Sequence, residues 1–308
     1  MRRRGLIPGV LIALALAGCG PAIVAPPPLA RAGGAWPALI QSMPAVISPS
    51  SHNACGAGNA ACIDAVVAEM TRRFDVLAGR CSHEAPFALM YLRVTQGVST
   101  QGSQRFRSQA FLNHLDAAFA NLYFTAYDNW RNGRAGKVPE AWRIAFDAAD
   151  RGTATVLGDM LLGMNAHISR DLPFALARTG LREPDGSSGQ ADFNRVNGLL
   201  GNVTPQILHD EATRFDPTLT SDAALPDSAL GASSLQQLLG AWRSESWNDA
   251  ERLLSAPTPA QRAAVARSIE VGAAGRARLI AALTSNLVIG PDAAQRDAYC
   301  KAERSKSH

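Results

Sequence analysis

From about residue 60 to the end, apolar side chains recur every three or four residues, and alternating runs of β-branched residues are absent. That spacing places one apolar face along each of a series of helices and leaves no material for a sheet. Ile63, Val66, Val67, Met70, Phe74 and Leu77 make the first such line. Phe87, Met90, Tyr91, Val94 and Val98 make a second, within Glu84 to Val98. A longer helix is expected from about Gln109 to Asn132, carrying Phe111, Leu115, Phe119, Leu122, Tyr123 and Trp130 and ended by Gly133 and Gly136. Further helices are expected over Pro139 to Ala149, Thr153 to Ser169, Leu172 to Thr179 and Ala191 to Phe215, the last bent or split at Pro205. Two more read Ser234 to Ala256 and Pro259 to Asn286, with loops at Glu183 to Gln190 and Asp216 to Ser233. With 308 residues, 47% hydrophobic and 18% charged, the chain can bury a sizeable core. No linker divides that core and no internal repeat occurs. The expectation is all-α: a single irregular multi-helix bundle over residues 59–308.

The N-terminus carries a different signal. Met1-Arg2-Arg3-Arg4 precedes an apolar run from Leu6 to Ala17, the layout of a secretory leader. The run is shorter than the ~20 residues a membrane-spanning helix needs. It ends Leu16-Ala17-Gly18-Cys19, which resembles a bacterial lipobox. The resemblance implies cleavage after residue 18 and lipidation of Cys19, hence anchoring of residues 19–308 to a membrane without spanning it. In a Gram-negative host it would imply the outer membrane. Residues 19–58 include Pro21, Pro26, Pro27, Pro28, Pro37, Pro44 and Pro49 with little charge, and read as a semi-rigid tether.

Export sets the charge and the redox state. Without Arg2, Arg3 and Arg4 the formal +4 falls to +1, 27 basic against 26 acidic residues, and no basic run follows. A nucleic-acid partner is therefore not expected. Apart from Cys19, the cysteines are Cys55, Cys62, Cys81 and Cys300, and in an oxidising compartment they suggest two disulfides with three connectivities. The expected pairs are Cys55–Cys62, closing a short Gly/Ala loop, and Cys81–Cys300, clamping the C-terminal tail. The absence of a Cys-x-x-Cys pair argues against a cysteine metal cluster.

Chemistry points to one stretch, Gly158 to Pro173. Val156, Met160, Gly163, Met164 and His167 share a helical face, and Asp171 follows His167 by one turn. A His and a carboxylate so spaced can share zinc or another divalent metal, with Asp116 on the long helix as a third ligand. Such a metal would activate water for hydrolysis of an envelope ester or phosphodiester. The other reading is structural: Asp171 caps a new helix ahead of Pro173, and His167 is a buried histidine bonded to a backbone carbonyl. Asn165 either orients a ligand or satisfies backbone in the interior. No Gly-x-Ser-x-Gly elbow, phosphate loop, dinucleotide loop or His-Glu-x-x-His is present, so serine-triad, nucleotide and zincin chemistry lack an anchor. Trp130, Trp142, Trp242 and Trp247 are expected in the core.

Gly163-Met164-Asn165-Ala166-His167-Ile168-x-x-Asp171-Leu172-Pro173 resembles the signature of a bacterial family of unknown function. Met90-Tyr91-Leu92, Leu115-Asp116-x-x-Phe119, Ala191-Asp192-Phe193-x-Arg195-Val196-Asn197 and Trp242-Arg243 fit the same family, over roughly residues 60–255. The resemblance implies that these polar residues belong together and carries no activity. The His167–Asp171 spacing is also loosely similar to zinc-dependent phospholipase C and related helical nucleases. Phe174, Ala175 and Leu176 stand where their next histidine would be. On these grounds the chain reads as a structural or binding lipoprotein of the cell envelope, with a metal-dependent hydrolase as the alternative.

Overall fold

The computed structural model describes residues 58, 60–219, 232–285 and 291–306. The expected leader, Cys19, the expected tether apart from Gly58, and Cys55 lie outside the described residues. Every regular element among those described is helical, and the only β-type pairings among them are the isolated bridges Ala154–Ser285 and Arg182–Ser188.

Among the described residues ten α-helices follow in order: α1 Ala60–Gly79, α2 Ala85–Arg105, α3 Gln109–Arg131, α4 Glu140–Arg151, α5 Val156–Met164, α6 Leu172–Thr179, α7 Gln190–Arg214, α8 Ala232–Ser255, α9 Pro259–Leu283 and α10 Ala293–Lys306. A π-helical segment, Asn165–Asp171, joins α5 to α6. The expected apolar lines are the buried ones: α1 buries Ile63, Val66, Met70, Phe74 and Leu77, and α3 buries Phe111, Leu115, Phe119, Leu122 and Tyr123. Caps fix several ends. Ser108 Oγ accepts from the Phe111 amide, Thr155 from Gly158 and Thr258 from Gln261. Gly152 ends α4 at φ 59°, a conformation a β-carbon would disfavour.

α2 packs on α1, α5 and α7; α8 packs on α6 and α7; α9 packs on α4. The π segment is contacted by α3, α4, α8 and α9, so it runs through the middle of the bundle. At Gly163 the bundle needs a glycine, because a β-carbon there would lie 2.3 Å from Cγ of Phe87 on α2.

Three expectations change. Pro205 neither splits α7 nor ends it; the helix runs unbroken through the proline. α10, which the sequence presents only as a polar tail, is a helix held by Cys300 and Arg296. The break expected near Arg170 is absent, since Asp171 and Leu172 both keep right-handed helical angles and Asp171 makes no side-chain cap. Pro173 explains the π segment. Its ring would clash with the carbonyl four residues back, and it lacks an amide proton. Widening the preceding turns avoids the clash without ending the helix: the Leu172 amide reaches back five residues to the His167 carbonyl. Of the tryptophans, Trp142, Trp242 and Trp247 are fully in the core, while Trp130 is half-buried against it.

Candidate functional site

The π segment turns His167 and Asp171 inward together. His167 Nδ1 lies 3.3 Å from Asp171 Oδ2, and both side chains are almost fully buried. Asp171 is also held by Trp142, whose Nε1 donates to Oδ2 at 2.8 Å, and by Arg170, whose guanidinium donates to Oδ1 at 2.8 Å. Arg170 is fixed in turn by Glu270 of α9 at 2.7 Å. The backbone freed by the wide turn finds a partner, since Ser246 of α8 donates to the Ile168 carbonyl. With Asp171 accepting the Nδ1 proton, Nε2 of a neutral imidazole carries the lone pair.

Aromatic rings fix the imidazole in space. Phe119 stacks flat on it, centroids 3.4 Å apart and planes within 4°, while Tyr91 meets it edge-on at 4.4 Å. Phe87 and Trp142 close around it at about 6 Å. His167, Phe119, Tyr91 and Phe87 form one wall of a cavity of about 80 Å³ between α2, α3, α7, α8 and the π segment, otherwise lined by side chains such as Val94, Leu115, Val196 and Leu239. Asp116 and Arg243 also face it. Three polar atoms of these walls, His167 Nε2, Tyr91 Oη and Asp116 Oδ2, are buried without a hydrogen-bond partner among the described residues.

Burial governs their protonation. It pushes the His167 imidazole down, against the pull of Asp171, and so favours the neutral ring. It raises Tyr91 well above the usual phenol range, helped by the negative charges of Asp116 and Asp171, so the phenol keeps its proton. Burial raises Asp116 to about 7, Arg243 opposing, and lowers Arg243 to about 10, Asp116 opposing. Arg243 donates at 2.7 Å to Asn197 Oδ1 and to the Phe193 carbonyl and lies over the Phe193 ring.

The structure joins His167 to Asp171 and sets Asp116 on the same cavity. His167 Nδ1 meets a carboxylate, where the structural reading expected a backbone carbonyl. Asn165 faces away from these groups: its amide donates to the Ala273 carbonyl at 2.9 Å. Among the described residues no group of three His, Cys, Asp or Glu side chains is placed to hold one metal ion. Cys81 and Cys300 are bonded to each other, and Cys62 is disulfide-bonded as well; Cys55, its expected partner, lies outside the described residues. Asp192, expected near a helix start, sits in the first turn of α7, fully buried, and accepts from the Ser108 amide at 2.7 Å, tying α7 to the start of α3.

Tyr91, Phe119, Trp142, Arg170 and Arg243 escape a search for His, Cys, Asp and Glu ligands, because none of them is of those types. Three of them, Tyr91, Phe119 and Arg243, fall inside the short motifs quoted above, and that clustering was the available signal.

Fold and site together define an all-α domain with a small, mainly apolar pocket beside a buried His–Asp pair. Residues 63–283, over two thirds of the chain, match the family described as a family of unknown function (DUF5995), and the chain belongs to that family. No curated protein and no solved structure matches it.

Proposed function

We propose that this is a lipid-anchored protein of the cell envelope whose helical domain binds a small, mostly apolar molecule bearing one hydrogen-bonding group. The observation that carries the binding reading is the set of three unpartnered polar atoms, His167 Nε2, Tyr91 Oη and Asp116 Oδ2, in the walls of one apolar cavity. A buried polar atom without a partner costs about 1–3 kcal/mol, and a ligand that satisfies it recovers that cost. An apolar pocket with a few convergent polar groups is the usual form of a small-molecule site.

The anchor rests on the Leu16-Ala17-Gly18-Cys19 match. No helix among the described residues is long and apolar enough to cross a membrane, so a bilayer attachment through these residues would need another device. Acyl chains on Cys19 supply it, and in a Gram-negative host they would place the domain at the outer membrane. The metal-dependent hydrolase asks Asp171 for lone pairs that already accept from Arg170, Trp142 and His167, which leaves His167 Nε2 and Asp116 Oδ2 as the free atoms of its three expected ligands. Binding without a metal uses every free atom and displaces none.

Saturation-transfer NMR of the full chain with phenol, 1-hexanol and cyclopentanone tests the binding. Transfer is expected to at least one of the three and to be lost in Val94→Phe, which fills the cavity from α2. No transfer to any of them in folded protein would refute the reading. Mass spectrometry of the processed N-terminus tests the anchor: the expected result is a diacylated or triacylated Cys19, and recovery of Cys19→Ser from the soluble fraction.

A further inference from the structure

We propose that the cavity catalyses proton transfer at a carbon next to a carbonyl group, with His167 as the base and Tyr91 and Asp116 as the donors to the carbonyl oxygen. The inference rests on the cavity being a ligand site and names the ligand as an apolar carbonyl compound.

The argument is one of roles. Asp171 accepts the Nδ1 proton and is itself held by Trp142 and Arg170, so the tautomer and the tilt of the imidazole are both set. Phe119 stacked on the ring leaves it one orientation, with Nε2 unpartnered. Asp116 stands one turn before Phe119 on α3, and Tyr91 approaches the imidazole from α2 with its ring centroid 4.4 Å away. The phenol lies within electrostatic reach of both Asp116 and Asp171. One base and two donors in a mainly apolar pocket are the complete set that enolisation needs. Arg243 near Asp116 has its own partners and is left out of the step.

The step balances without a co-reactant. The Nε2 lone pair takes the proton from the α-carbon, and the C–H pair becomes the carbon–carbon double bond. The carbonyl π pair moves to oxygen, which accepts a hydrogen bond from Tyr91 Oη–H and the proton or hydrogen bond of Asp116. Nε2 then gives a proton back to the same carbon or to one conjugated with it, either the one it took or, after exchange of the N–H with solvent, a deuteron from D2O. No bond to water forms and no leaving group departs.

The test uses the full chain and cyclopentanone in D2O, following loss of the α-proton signal by NMR against free imidazole at equal concentration. Exchange is expected roughly 100-fold or more above imidazole, the scale of positioned acid–base catalysis. Exchange per bound cyclopentanone, with the bound fraction read by saturation transfer, should fall at least tenfold in His167→Gln and, separately, in Tyr91→Phe. Either variant suffices if the other fails to fold, as judged by circular dichroism. Binding with exchange no faster than imidazole, or with exchange unchanged in a folded variant, overturns the proton transfer and leaves the binding reading standing. Absence of binding by cyclopentanone, phenol and hexanol overturns both.

Discussion

Asp116→Asn is expected to stabilise the protein at pH 8 and to change it little near pH 4. Burial raises this carboxyl to about 7, from 3.8 for an ordinary aspartate. The folded state therefore holds the proton more tightly than the unfolded chain. The stability linked to that proton is full below about pH 4 and is lost as the pH climbs through 7. The gap is about three pK units, each worth 1.36 kcal/mol, so the ceiling is about 4 kcal/mol. Asp116 is half-buried, so solvent screens part of the penalty, which brings the expected gain to about 1–3 kcal/mol. Asparagine has the shape of the neutral acid and no charge to bury, so it removes the pH-dependent loss. Urea unfolding of parent and variant at the two pH values reads the difference as a shift in midpoint at constant slope. An advantage of equal size at both pH values would refute the reasoning, because it would mean that Asp116 does not bind a proton more tightly on folding.

Other outcomes follow from the same geometry. Trp142→Phe keeps the ring stack but removes the donor to Asp171 Oδ2, and thermal unfolding should show a loss of about 1–3 kcal/mol. Gly163→Ala forces a β-carbon into Phe87, and should both lower stability by about 1–3 kcal/mol and weaken phenol or cyclopentanone binding, since Phe87 also packs on His167. Cys300→Ser opens a bridge between residues 219 apart and should cost about 2–5 kcal/mol in denaturant unfolding under oxidising conditions.

Helix content and the core faces were legible because burial imposes the three-and-four spacing directly on the sequence, as along α1 and α3. The pairing of His167 with Asp171 was legible for the same local reason. The uses of those residues were not. Asp171 before a proline reads as a cap, and only the position of Trp142, 29 residues earlier, shows that the carboxylate turns inward. Whether a proline breaks a helix depends on what lies across from it. The π turn at Pro173 survives because Ser246 and α9 take up the backbone and side chains it displaces. α10 was missed because its burial is carried by Arg296 and Cys300, not by an apolar stripe. Arg296 reaches the Ala154 carbonyl and lies 2.9 Å from Asp159, a match between residues 137 positions apart that no local pattern announces.

The Cys81–Cys300 bridge has a mechanical meaning. It closes a covalent ring around everything from α2 to α9, and so around the whole cavity. A pull applied between the two chain ends travels along α1, crosses the sulfur atoms and leaves through the last turns of α10. The ring itself bears no load. A protein tethered by its N-terminus to a moving surface would then transmit tension past its site and never through it, and under force it would lengthen only by the segments outside residues 81–300.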